Sequence, residues 1–275
     1  MRLDIRSVPF AAIALVFGLF PATKAPAEEF PSQSGPISVT TVAEGLEHPW
    51  GLAFLPDGRM LVTERPGRLR LVGADGALSA PVAGVPEVYA SGQGGLLDVA
   101  LDPAFAESQM IYLSYSEPGG PGAGTAVARA KLAGDKLEQL QVIFRQVPKL
   151  DSGQHFGSRL VFLQDGTLIV TLGDRNRGEH IVDPKSHVGK LVRINPDGSI
   201  PADNPFVGQA AYAPEIYSLG HRNAQGATLH PETNALWTAE HGARGGDEIN
   251  QPQPGRNYGW PIISYGREYA GGKIG

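Results

Sequence analysis

The 275-residue sequence contains no cysteine. That removes disulfide scaffolds, zinc–thiolate sites, iron–sulfur clusters and thiol nucleophiles together. Positive charge is also scarce. Lys and Arg number 23 against 28 Asp and Glu, for a formal charge of −5 and a pI near 5.8. With no basic run, the chain lacks the electrostatic footprint of a nucleic-acid binder. Long apolar runs are missing too. The one candidate, Val8–Phe20, spans about 13 residues, too few to cross a bilayer comfortably. Neither a G-x-S-x-G elbow nor a P-loop occurs, since Gly189-Lys190 is followed by Leu191. Gly92, Gly94 and Gly95 open no helix and read as a tight loop, not a dinucleotide fingerprint.

Glycine and proline are what the chain has in excess. There are 36 Gly and 23 Pro, about a fifth of all residues against a usual share nearer 12%. Such frequent punctuation works against long helices. The 41% hydrophobic content still suffices for a buried core. Many short strands joined by turns is the fold class this composition favours.

The N-terminus has the layout of a secretory leader. Arg2 and Arg6 precede the apolar run, and Ala25-Pro26-Ala27 supplies small residues at a cleavage point. Residues 1–27 are therefore expected to be a signal peptide, and 28–275 a periplasmic or secreted domain with no stable membrane insertion. A retained anchor is the alternative.

Four segments repeat one pattern: polar loop, apolar strand, turn, apolar strand. They begin near His48, Gln93, His155 and Arg222, with turns centred at Asp57, Asp102, Asp165 and Glu232. Pro-Asp-Gly and Gln-Asp-Gly at two of these turns are hairpin signals, because Gly supplies the positive φ the turn needs. Repeats of this size predict an all-β propeller of four-stranded antiparallel blades. Leu69–Val72, Ala126–Lys131 and Lys190–Asn195 are expected to supply further strands. A single immunoglobulin-like sandwich fits the repeated units poorly. Only about four blades are recognisable, and the sequence is expected to be incomplete at its C-terminus, because a ring must close or expose its edges.

The repeat also places the polar residues. His48, Gln93, His155 and Arg222 stand nine or ten residues before their turn centres. Equivalent positions on successive blades form a ring, so Gln93, His155 and Arg222-Asn223 are expected to converge on one pocket. His155 suits a general base, and Gly153 and Gly157 beside it permit close approach of another group. Arg222 offers a fixed cationic fork. Gln93 and Asn223 suit a carbonyl- and hydroxyl-bearing ligand. The Gly-rich segment 240–250, with Glu240, Asp247, Glu248 and Asn250, presents hard oxygen donors that suit Ca²⁺. A solvated acidic loop accounts for it equally well. Trp50, Trp237 and Trp260 read as packing residues more readily than as ligand platforms.

At these residues the sequence resembles the soluble quinoprotein glucose and aldose sugar dehydrogenases, six-bladed propellers that use pyrroloquinoline quinone (PQQ) and Ca²⁺. The stretches that carry the resemblance are HPWGLAFLPDGRMLVTERPG, GQGGLLDVALDP, GQHFGSRLVFLQDG, GKLVRINPDGSIPADNPF and LGHRNAQG…EHGARGGDEIN…GRNYGWP. They span about residue 38 to the end, and the aldose branch is the closer likeness. The resemblance implies oxidation of the C1 hydroxyl of an aldose to the lactone, with electrons passed to an external acceptor. It implies His155 as the base and Arg222 as the cation beside the quinone. It implies Gln93, Arg222, Asn223 and Tyr269 at the cofactor. Ca²⁺ is implied at the carbonyls of Gly242 and Ala243, with Glu248 and the Tyr258 carbonyl as ligands in the same loop region. Gln154 precedes His155 where the glucose-specific branch has Asp, so the sequence does not name the group that orients the imidazole. Two other readings stay open: a Ca²⁺-dependent propeller lactonase and a non-catalytic binding propeller. The oligomeric state, the physiological sugar and the acceptor are not fixed by the sequence.

Overall fold

The computed structural model describes residues 27–274. The expected leader therefore lies outside the described residues except for Ala27. One compact unit ends at Val42 and holds a short hairpin, β1 (Glu28–Phe30) paired with β2 (Ile37–Val39).

The second unit begins at Ala43 and contains four antiparallel sheets in chain order. The first is β3 (Pro49–Phe54), β4 (Met60–Glu64), β5 (Arg68–Val72) and β6 (Leu78–Pro81). The second is β7 (Leu96–Leu101), β8 (Met110–Gly119), β9 (Gly122–Ala133) and β10 (Lys136–Arg145), with a single helical turn α1 (Phe105–Ser108) between β7 and β8. The third is β11 (Leu160–Phe162), β12 (Leu168–Thr171), β13 (Lys190–Ile194) and β14 (Ile216–Leu219), with α2 (Gly178–Ile181) between β12 and β13. The fourth has three strands, β15 (Ala224–Leu229), β16 (Leu236–Glu240) and β17 (Glu248–Asn250). Every strand pairs with its neighbour in sequence, which is the meander of a propeller blade. The four repeats of the sequence are the first two strands of each sheet.

The core lies between the sheets. Leu61, Leu69, Val99, Leu113 and Ala128 pack sheet one on sheet two. Tyr112, Val127, Leu168, Val192 and Ile216 pack sheet two on sheet three. A smaller cluster of Val161, Ile169, Leu191 and Leu236 joins sheet three to sheet four.

A buried hydroxyl on the second strand of each sheet adds a directional link. Thr63 Oγ1 accepts from Gly51 N–H of its own sheet (2.8 Å) and donates to the Leu97 carbonyl of the next. Ser114 Oγ accepts from Asp98 N–H (2.9 Å) and donates to Ser158 O (2.6 Å). Thr171 Oγ1 accepts from Arg159 N–H (2.9 Å) and donates to Ala224 O (2.7 Å). Thr238, the corresponding residue of β16, is buried and its Oγ1 has no partner among the described residues. One hydroxyl thus satisfies a donor in one sheet and an acceptor in the next, which buried backbone groups require.

Arg159 crosses this packing. Its Nη1 donates to Asp98 Oδ1 on sheet two (2.7 Å) and its Nε to Gln225 O on sheet four (3.0 Å). The guanidinium also lies 4.4 Å from the Trp50 ring centre on sheet one. Burial pushes the Asp98 carboxyl up from its ordinary value, while Arg159 and the N–H of Leu160 act in the opposite direction. Removing the guanidinium leaves that carboxylate buried without a counter-charge. Arg159→Met is expected to lower unfolding free energy by about 3–5 kcal/mol, measured by urea denaturation.

Glu64 makes the corresponding cluster inside sheet one. It is buried and pairs with Arg68 (2.8 Å) and Arg70 (3.1 Å), and it accepts the Glu47 N–H. Burial raises the carboxyl, but the two guanidinium groups and the N–H outweigh it and hold it down at about 2, against 4.5 ordinarily. A depressed carboxylate stabilises the fold above its unfolded pKa and loses that contribution as pH falls. Glu64→Gln is therefore expected to be less stable than the parent at pH 7 by about 2 kcal/mol. The gap should close as pH falls from 4.5 towards 2, read from unfolding midpoints at successive pH values.

Candidate active site

The loop entering the third sheet carries His155 with φ 54°, left-handed backbone that a side chain other than Gly seldom adopts. Its neighbours hold it there. Gln93 Oε1 accepts the His155 N–H (3.0 Å), and Gln93 N–H donates to Gly153 O (2.7 Å). Arg175 is buried beneath the loop. It donates to Ser152 O, to Gln154 O (2.9 Å) and to Ala123 O (2.9 Å), with its guanidinium 3.6 Å from the Phe156 ring centre. Burial lowers the Arg175 pKa to about 10, the cost of facing neutral carbonyls with no carboxylate partner. Gly153 and Gly157 do permit close approach, but the approaching groups are backbone. A Cβ at Gly92 would collide with Gly153, and one at Gly157 would sit 2.7 Å from Thr171 O.

The group that orients the imidazole is Asp174, just beyond β12. Its Oδ1 lies 2.6 Å from His155 Nδ1, and both residues are buried. The same oxygen accepts the Asn176 N–H (2.7 Å), and Oδ2 accepts Trp260 Nε1–H (2.9 Å). A carboxylate surrounded by donors acts as acceptor only, so the proton of the His155–Asp174 bond sits on Nδ1. The lone pair is then on Nε2, which has no protein hydrogen bond among the described residues. Gln154 contributes its backbone carbonyl to this arrangement, while its side chain plays no part in it. The residue Asp174 was not singled out from sequence. The available signal was Leu172-Gly173-Asp174 closing an apolar strand, with Gly173 admitting the His155 carbonyl where a Cβ would collide.

Arg222 and Asn223 come from the connection between β14 and β15 and reach the same place. Arg222 O accepts Asp174 N–H (2.7 Å), and Asn223 Oδ1 accepts Gly157 N–H (3.1 Å). Glu240 takes the Arg222 N–H and lies 3.0 Å from His221 Nδ1. The Arg222 guanidinium donates through Nη1 to His241 O (3.0 Å) and lies 5.3 Å from the Trp260 ring centre. Its Nε is buried with no partner among the described residues. A buried guanidinium nitrogen without an acceptor suits an anionic oxygen from a ligand.

Gln93 thus bonds His155 directly, while Arg222 and Asn223 are linked to it through Asp174 and Gly157. Tyr269 is not part of that set; it is 70% exposed. The expected Ca²⁺ ligands divide between two places. Gly242 and Ala243 directly follow His241, whose N–H donates to Asn223 O (3.1 Å), so they adjoin Arg222. Glu248 opens β17 opposite Glu240, and Tyr258 stacks on His221 with ring centres 5.0 Å apart. Among the described residues the carbonyls of Gly242, Ala243 and Tyr258 accept no hydrogen bond, which leaves three hard oxygen donors of the kind Ca²⁺ takes. No group of three or more His, Asp or Glu side chains that could hold a metal occurs among the described residues; the expected set rests on carbonyls.

Replacing Asp174 by Asn offers His155 an amide that can donate to Nδ1. The Asp174→Asn chain is expected to move the imidazole proton from Nδ1 to Nε2, read from ¹⁵N chemical shifts of the histidine ring in the cofactor-free protein. Retention of the Nδ1–H form would contradict the orienting role.

With this geometry established, comparison with known proteins is direct. The glucose/sorbosone dehydrogenase family matches residues 46–275. Aldose sugar dehydrogenase YliI of Escherichia coli is 52% identical over 242 residues, which cover 86% of this chain and 65% of that protein. The chain therefore spans a little under two thirds of that relative's length. A solved structure of the soluble aldose sugar dehydrogenase from Escherichia coli in the apo-form superposes with a TM-score of 0.83 at 51% identity, covering 85% of this chain and 68% of that one. The PQQ-bound form of aldose sugar dehydrogenase from Streptomyces coelicolor gives 0.74 at 33% identity, covering 92% and 71%.

Proposed function

The chain belongs to the glucose/sorbosone dehydrogenase family, and on that premise we propose that it is a quinoprotein that oxidises the C1 hydroxyl of aldose sugars to the lactone. The observation that carries this reading is His155 held by Asp174 at 2.6 Å, in a network with the Arg222 guanidinium, where His155 Nε2 and Arg222 Nε have no partner among the described residues.

His155 Nε2 takes the proton of the C1 hydroxyl as the C–H bond at C1 breaks. Asp174 keeps Nδ1 protonated and stabilises the imidazolium that forms. PQQ, when bound, supplies the two-electron acceptor for the hydride leaving C1. Arg222 would hold the cofactor through Nε and supply fixed positive charge where negative charge develops. Gln93 and Asn223 orient the backbone around the base, each accepting an N–H from the His155 loop. Ca²⁺ would sit on the Gly242 and Ala243 carbonyls, beside Arg222, and Glu248 and the Tyr258 carbonyl would serve a Ca²⁺ site in the same loop region. An external acceptor regenerates the oxidised cofactor. Tyr269 is kept as a cofactor contact only in this proposal. Export to the periplasm or beyond, after removal of residues 1–27, completes the reading. No helix among the described residues is long and apolar enough to cross a membrane.

The test is dye reduction by the full-length gene product with PQQ, Ca²⁺ and a panel of aldoses. His155→Ala is expected to lower turnover by about 10²–10⁴-fold with PQQ still bound. Undiminished turnover in that variant would remove the base assignment, and absence of dye reduction with every aldose would remove the dehydrogenase reading.

A further inference from the structure

We infer that Trp260 is a positioning residue for the base, fixing Asp174 so that one carboxylate oxygen is committed to His155. This rests on the dehydrogenase reading for its catalytic meaning, though the contact itself is a property of the folded chain.

The inference starts from Asp174, which is buried. Oδ1 serves His155 Nδ1 and Asn176 N–H, the main-chain N–H donates to Arg222 O, and Oδ2 is held by the indole N–H of Trp260 at 2.9 Å. Trp260 is the only side chain among the described residues that holds Oδ2. Without it the carboxylate can rotate about its Cβ–Cγ bond and exchange its oxygens, releasing the imidazole. A buried carboxylate oxygen stripped of its donor is also unfavourable, which gives the carboxylate a reason to turn away from the imidazole.

Trp260 is itself fixed from two sides. Its main-chain N–H donates to Gly220 O (3.1 Å), and the Tyr258 main-chain N–H donates to Leu219 O (2.9 Å), which ties the segment to the end of β14. The indole ring faces the Arg222 guanidinium at 5.3 Å, within reach of cation–π attraction. One side chain therefore contacts the carboxylate behind the base and the cation beside it. The residue lies 86 positions from Asp174 in sequence, so the contact is made by the fold and not by local chain geometry.

Two substitutions separate the N–H from the ring. Trp260→Phe keeps an aromatic ring and removes the donor. Trp260→His keeps an N–H at the equivalent position of a five-membered ring. The readout is proton exchange at His155 Nδ1 in the cofactor-free chain labelled with ¹⁵N-histidine, assigned with His155→Ala. Trp260→Phe is expected to speed that exchange about tenfold, the equivalent of about 1.4 kcal/mol, and Trp260→His to restore slow exchange. In the loaded enzyme, kcat should fall about tenfold in Trp260→Phe with KM within about twofold, and recover in Trp260→His. Unchanged exchange in Trp260→Phe, or equal acceleration in both variants, would overturn the inference by showing that the ring only fills space. Accelerated exchange in Trp260→Phe, rescued by His, in a protein that oxidises no aldose would uphold the Trp260 contact and overturn the dehydrogenase reading alone.

Discussion

The Arg159 guanidinium is the point at which the four sheets meet. It belongs to the third sheet, bonds to Asp98 of the second and Gln225 of the fourth, and covers Trp50 of the first. Apolar packing between sheets is tolerant of small rotations, because burial is non-directional. A planar fork with partners on both sides is not tolerant. Together with the hydroxyls of Thr63, Ser114 and Thr171, each bonded to two sheets, it fixes the relative rotation of the blades. That rotation decides whether loops from different sheets meet.

The candidate site is where they do meet. Gln93 comes from the second sheet's entry loop, His155 and Asp174 from the third, and Arg222 and Asn223 from the passage into the fourth. Each polar side chain with a conspicuous position also secures a neighbour's backbone: Gln93 holds His155 N–H, Asn223 holds Gly157 N–H, and Glu240 holds Arg222 N–H. The loop around His155 is short on regular hydrogen bonds and carries left-handed backbone at a non-glycine residue. Such a conformation costs on the order of 1–3 kcal/mol and persists only when the surroundings over-determine it. Here the surroundings are three sheets, held in place by the contacts just described.

Much of this was legible in the sequence, for a physical reason. A propeller repeats one hairpin, and alternation plus Gly-containing turns marks a hairpin locally, so β3–β4, β7–β8, β11–β12 and β15–β16 could be placed without coordinates. The offset of nine or ten residues between Gln93, His155 or Arg222 and those turns likewise follows from the repeat. Strands β6 and β10 are not legible because they are partly exposed and alternate weakly, as the pattern eBieeeiiBe along β10 shows; β14 and β17, at four and three residues, are too short for a pattern to declare itself. Asp174 and Trp260 escaped for another reason. Neither stands at the repeated offset, and Trp260 reaches Asp174 from 86 residues away; no periodicity encodes a contact of that kind. Tyr269, by contrast, was named only through resemblance, and it is the one expected cofactor contact that the fold leaves in solvent.

One cluster has the look of a serine hydrolase site, a chemistry distinct from that of a Ca²⁺-dependent lactonase. Ser218 Oγ lies 2.8 Å from His221 Nε2, and His221 Nδ1 lies 3.0 Å from Glu240 Oε2, the connectivity of a serine nucleophile, its base and an orienting acid. Burial decides against it. Ser218 and His221 are fully buried, and the Tyr258 ring stacks on the imidazole. A nucleophile must reach its electrophile at van der Waals contact, and nothing can reach this hydroxyl while the fold is intact. The same three residues make sense as a brace. Glu240 receives both His221 and the Arg222 main chain, so Ser218 and His221 fix the carboxylate that fixes the arginine. Two buried His–carboxylate pairs thus differ in what their outer nitrogens meet. His155–Asp174 leaves its outer nitrogen without a protein partner, whereas His221–Glu240 spends both nitrogens on the protein. The first pair keeps one ring nitrogen open to a partner from outside the protein, and the second holds the Arg222 main chain in place.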